Sequence, residues 1–170
     1  MKTLQTLFLI TIALTLTSFT LKKGKEINQD PNDFAKAIFN IISEKKFNQL
    51  DRYMISKEEL IELANQANIT EEYRAKSIKN ILEKFDANYK DALNSIQDLK
   101  TTMELSHIDF DDLELIDITF KISQKENVRK GDFRLVIQSD DKTFEVRIDK
   151  CYLVNNNWKL HKAFTYFEEK

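Results

Sequence analysis

Apolar and polar residues repeat with two periods along this chain, and the period changes once. Up to about residue 105 the spacing is three and four; beyond it the spacing is two. Asp30 is placed to cap a helix, with Pro31 in the first turn, where its missing N–H costs nothing. Phe34, Ile38, Ile41 and Ile42 then recur at helical spacing up to about Lys46, and Leu50, Tyr53 and Met54 carry a second short stripe. Ser56 and Glu59 have the spacing of a capping box, opening a helix of about ten residues that carries Leu60, Ile61, Leu63 and Ala64. Thr70 starts the longest pattern. Tyr73, Ile78, Ile81, Leu82, Phe85, Tyr89, Ala92, Leu93, Ile96 and Leu99 define one face of a helix, with a kink or break near Asp86-Ala87-Asn88 as an option.

After Ser106 the alternation is that of strands. Ile116, Ile118, Phe120 and Ile122 form one run; Phe133, Leu135 and Ile137 a second; Phe144, Val146 and Ile148 a third; Trp158, Leu160 and Phe164 a fourth. Asp140-Asp141 and Asn155-Asn156-Asn157 are short turns, so the runs pair as antiparallel hairpins with one buried face. Within residues 143–154 the apolar parity flips from even to odd at Cys151 and Leu153. A β-bulge near Asp149-Lys150 would restore one face and bury Cys151; the alternative is a strand end covered on both sides. Helices first and strands afterwards define an α+β domain: N-terminal helices on one face of a curved, four-stranded antiparallel sheet.

The N-terminal segment has a different pattern. Lys2 precedes an uncharged apolar run over residues 7–16, and Ser18-Phe19-Thr20 offers small residues before Leu21. This is the layout of a secretory signal peptide over residues 1–20. The alternative is an inner-membrane anchor over residues 4–21, just long enough for a marginal span. Residues 21–30 are polar and aperiodic, a flexible leader, and residues 31–170 form a single domain. The expected location is therefore exported, periplasmic or extracellular, with no membrane association after cleavage.

Composition removes several function classes. The chain has two glycines, one proline, one cysteine and two histidines in 170 residues. Glycine-rich phosphate cradles, internal disulfides and multi-thiolate zinc sites are excluded. Removing residues 1–20 takes away one lysine and no acid, leaving 25 basic against 28 acidic residues, a net charge of −3. That charge, with export, argues against a nucleic-acid partner.

The helix over residues 34–47 running into Leu50-Asp51-Arg52-Tyr53, and the closing hairpin over residues 143–154 followed by Asn155-Asn156-Asn157-Trp158-Lys159-Leu160, are similar to the opening and closing segments of the nuclear transport factor 2-like superfamily. The resemblance implies a cone-like sheet wrapped around a long helix, often with a pocket. Three helical segments before all the strands depart from the usual order, which keeps cystatin-like relatives or another α+β fold open. The Lys-, Asn- and Ile-rich composition resembles small exported proteins of Bacteroidetes.

Candidate chemistry is sparse. Asp109, Asp111, Asp112, Glu114 and Asp117 are suitable calcium donors, but without a glycine turn they read as a solvated loop, and no metal is expected. His161 has the parity of Arg147, Glu145 and Lys159 on the polar face; His107 lies at the helix-to-sheet junction. Neither stands with a recognisable nucleophile. Lyases and isomerases of the resembled superfamily need polar residues aimed into the cone. The inward strand positions here (Ile116, Ile118, Phe120, Phe133, Leu135, Ile137, Phe144, Val146 and Ile148) are all apolar, so no catalytic residue and no cofactor is assigned. The aromatic set Tyr53, Phe85, Tyr89, Phe120, Phe144, Trp158 and Phe164 either lines an apolar pocket or fills the core. The expectation is an exported, non-catalytic domain that binds an apolar small molecule or a protein partner. The alternatives are a pocket lyase or isomerase, and an inhibitor or immunity-type protein.

Overall fold

A computed structural model describes residues 30–168, so the signal segment and most of the leader lie outside the described residues. The helical half contains α1 (Pro31–Ser43), a 3₁₀ helix (Phe47–Tyr53), α2 (Lys57–Gln66) and α3 (Glu71–Leu105). A 3₁₀ turn (Phe110–Asp112) leads to β1 (Leu113–Lys125), β2 (Val128–Ser139), β3 (Lys142–Val154), β4 (Asn157–Lys159) and β5 (Phe164–Glu168). The α+β order is as the periodicity predicts.

Each helix starts where its cap predicts. Asp30 Oδ1 accepts the Asn32 N–H at 2.7 Å. Ser56 Oγ accepts the Glu59 N–H at 3.1 Å while Glu59 Oε2 accepts the Ser56 N–H at 2.9 Å. Thr70 Oγ1 accepts the Tyr73 N–H at 3.4 Å. Helix α3 is unbroken over 35 residues, roughly 52 Å, and the option of a break at residues 86–88 is not realised. No proline or glycine lies within it to force one.

Helix α3 is buried unevenly. Ala92, Ile96, Leu99 and Met103 enter the main core; towards the N-terminus Tyr73 is 63% and Leu82 56% exposed. The stripe that periodicity reads as one face thus serves two environments. Its C-terminal half packs on the sheet, and its N-terminal half packs on α2.

The sheet is antiparallel in the order β1-β2-β3-β4, with β5 also on β3. Strand β4 pairs with residues 152–154 and β5 with residues 144–148, so the two lie end to end along one edge of β3. The fourth apolar run is therefore two strands rather than one. Leu160 interrupts it by exchanging hydrogen bonds of 2.8 Å with Tyr53 and Ile55, tying the end of β4 to the segment before α2. The sheet remains open and does not close into a cone: among the described residues nothing pairs with the outer edge of β1.

Two bulges set which side chains face inward. Gly131 pairs with Cys151 and Phe133 with Ile148, so Asp149 and Lys150 together oppose Asp132. Lys150 adopts φ 54° and its N–H donates to Asp132 Oδ1 at 2.9 Å. Cys151 returns to the inner face, fully buried, as the parity flip predicts. The second bulge is at Ile116, the extra residue between the pairs Leu115–Ile137 and Asp117–Val136. It overturns the inward assignment of Ile116, which is 52% exposed, and places Leu113 and Leu115 against the core instead. Phe120 and Ile122 also remain exposed.

The tight turns use Asn, Asp and Glu at positive φ in place of glycine: Glu126-Asn127, Asp140 and Asn155-Asn156. The core sits between α1, the C-terminal half of α3 and the inner sheet face. Phe34 packs edge-on to Phe133 at 4.9 Å between ring centroids, and Phe133 packs edge-on to Trp158 at 5.4 Å.

Candidate functional site

Where α2 and the N-terminal half of α3 leave the main core, a second apolar cluster forms. Ile55, Leu60, Leu63 and Val154 are buried in it, with Ile81, Phe85 and Tyr152 packed against them. The two helices do not fill the angle between themselves and the ends of the β-hairpins. A cleft of about 370 Å³ remains, floored by Leu60, Leu63, Ala64 and Ala67 of α2 and Ile81 and Phe85 of α3. Val128 and Lys130 of β2, Tyr152 of β3 and His161 complete its wall. Apolar floors with a few convergent polar groups are the usual composition of a small-molecule site.

Ser77, Asn80 and Asn88 of α3 add polar groups along the cleft, and a second polar set gathers at one end. The rings of Tyr152 and His161 meet edge-on at 5.3 Å, and Lys130 Nζ lies 5.5 Å from the centre of the Tyr152 ring. Burial holds the His161 pKa below its ordinary value, and the charges of Lys150, Lys162 and Lys130 push it the same way. Lys150 is itself held down, first by the neighbouring Lys162 side chain and its charge, then by burial and the charge of Lys130, with Asp132 partly opposing. Burial raises the Tyr152 pKa. The end of the cleft is therefore a neutral imidazole and phenol beneath three ammonium groups. On the opposite lip Lys125 pairs with Glu126 at 3.5 Å. Beyond the floor, Lys57 Nζ lies 5.2 Å from the Phe85 ring centre and 3.1 Å from Asp86 Oδ1.

His161 is not beside Arg147 and Glu145, where its parity would put it. Leu160, just past β4, bonds to Tyr53 and Ile55, and His161 turns over Tyr152 instead. Glu145 is buried on the outer sheet face, clamped by Arg134 and Arg147, and the Arg147 guanidinium stacks 4.3 Å from the Phe167 ring centre.

The structure disperses the aromatic set. Tyr53, Phe144, Trp158 and Phe164 are buried in the main core. Phe85 and Tyr89 stack at 5.6 Å on α3, and of the whole set only Phe85 lines the cleft. Phe120 is 40% exposed on β1, its ring 6.1 Å from Phe133. Tyr152, Lys130, Leu60 and Leu63 line the cleft and carry no site assignment from the sequence pattern.

The remaining candidates fall away from the cleft. Asp109 caps its own 3₁₀ turn by accepting the Asp111 N–H at 2.9 Å, and Asp112 accepts the Asp140 N–H at 3.2 Å. Among the described residues no three His, Cys, Asp or Glu side chains are grouped to hold a metal ion, and no helix is long and apolar enough to cross a membrane. His107 is exposed at φ 54° after α3. No protein-family model matches the chain, and no curated protein or solved structure is significantly similar to it.

Proposed function

We propose that this protein is an exported, non-catalytic binding domain whose ligand is an amphiphile with an acidic head group. The apolar part lies along Leu60, Leu63, Ile81 and Phe85, and the acid faces Lys130, Lys150 and Lys162. The observation that carries the reading is that the charges of Lys130, Lys150 and Lys162 all act on a half-buried His161 at one end of a cleft with an apolar floor. Like charges brought together are unfavourable, and an anion among them relieves the repulsion. Tyr152 and His161 add hydrogen-bonding groups at a partly desolvated position, where polar contacts discriminate most strongly between ligands.

The test is calorimetric titration of the purified protein with a long-chain carboxylic acid and with the alcohol of the same chain. The acid binds saturably and more tightly than the alcohol, and Lys130→Glu narrows that preference. Absence of saturable binding to either compound overturns the reading. Equal binding of both retains an apolar site and removes the acidic head group.

A further inference from the structure

Strand β1 presents a free edge, and its sequence is complementary to itself when reversed. Over 13 residues β1 pairs with β2 alone, and among the described residues its other edge has no partner. The strand is unusually apolar for an open edge: Phe120 is 40% and Ile122 37% exposed on the face they share with half-buried Ile118. Its charges are sorted by sign, with Glu114 and Asp117 in the first half and Lys121 and Lys125 in the second. Neither Asp117 nor Lys121 has an ion-pair partner within 4 Å among the described residues, although Lys121 stands across from Asp132 in the register.

We propose that two copies of the chain associate by antiparallel pairing of their β1 edges about a two-fold axis at Thr119. In that register Asp117 of each copy faces Lys121 of the other, Ile118 faces Phe120, and Thr119 faces its own counterpart. Cross-strand opposite charges and aromatic–β-branched pairs both favour such an arrangement, and like charges directly opposite would oppose it. Moving the centre to Phe120 sets Asp117 against Ser123 and loses both ion pairs. Lysines on an edge often prevent strand addition. Here the reversal of sign along the strand turns that obstacle into selection for one partner in one register. The bulge at Ile116 ends the regular ladder, so the pairing is short and the dimer is weak and concentration-dependent. This inference does not rest on the cleft.

Sedimentation equilibrium on the purified protein, from micromolar to millimolar concentration, tests it. The wild-type mass rises from monomer towards dimer. Asp117→Lys and Lys121→Asp each weaken association roughly tenfold or more, because two attractive pairs become repulsive. An equimolar mixture of the two variants regains association, since each then faces its opposite. The doubly exchanged protein, Asp117→Lys with Lys121→Asp, does the same and guards against a folding defect in either single variant. A wild type that stays monomeric throughout overturns the proposal, as does a dimer indifferent to the single reversals or a mixture that remains monomeric.

Discussion

Replacing Gly131 by alanine tests how tightly the aromatic core closes over the sheet. Gly131 sits on β2 opposite Cys151, beside the bulge at Asp149-Lys150. A Cβ there would lie 2.9 Å from Phe133 Cε2, 3.0 Å from Trp158 Cζ3 and 3.2 Å from Trp158 Cη2. Both rings are almost fully buried, at 2% and 1% exposure, so neither can swing into solvent. Overpacking of this kind costs ~1–3 kcal/mol. Against it stands a gain of ~0.5–1 kcal/mol from reduced freedom of the unfolded chain and removal of a strand-interior glycine. The net expectation is a loss of ~1–2 kcal/mol. With a urea m-value of ~2 kcal/mol/M, in the middle of the usual range, the midpoint falls by about 0.5–1 M. Trp158 is the only tryptophan, so its fluorescence reports the transition directly. Trp158→Phe removes the ring that carries Cζ3 and Cη2, so Gly131→Ala costs less in that background, read by circular dichroism. A midpoint for Gly131→Ala equal to or above the wild type would refute the packing argument.

Cys151 is fully buried and its pKa is raised by burial, with lesser contributions from Asp132 and Asp149, so a thiol reagent leaves the native protein unmodified until denaturant is added; prompt native labelling contradicts this. The His161 pKa is depressed in the folded state, so the unfolded chain takes up that proton first. Stability present above about pH 6.5 is lost as pH falls from there through the folded value, and His161→Gln reduces that slope by at most ~1.4 kcal/mol per pH unit, measured by urea unfolding across the window. Glu145→Gln removes the buried charge between Arg134 and Arg147 and lowers stability by ~1–2 kcal/mol in the same assay. The loss stays at this level because both arginines are nearly half exposed and rehydrate; an unchanged midpoint would show that the clamp contributes nothing.

Local signals in the chain were legible because their causes are local. The capping pairs at Asp30, Ser56 and Thr70 need only residues two or three positions away. The bulge at Asp149-Lys150 betrays itself because Cys151 and Leu153 break the parity of Phe144, Val146 and Ile148 within one strand. Ile116 carries no such mark: it alternates in register with Ile118 and Phe120, and its displacement appears only against Ile137 and Val136 of β2. Strand parity puts His161 among the wrong neighbours for a related reason. Its position follows from Leu160 bonding to Tyr53 and Ile55, more than a hundred residues earlier, which alternation cannot express. The cleft is the least legible feature, because it is a gap between elements and not a pattern within one. Its apolar residues look the same in sequence as those that fill the core.

The central claim is that the cleft beside His161 receives an acidic group, and the most direct measurement is the His161 imidazole titration followed by NMR with and without ligand. A carboxylate bound among Lys130, Lys150 and Lys162 offsets the charges that depress this histidine, so its pKa rises when the long-chain acid is bound. The matching alcohol leaves it unchanged. His107 lies beyond the far end of α3, about 26 Å along the helix from the cleft residues at Asn88, and serves as the remote reference in the same spectra. A His161 titration curve that does not move under saturating acid would contradict the account.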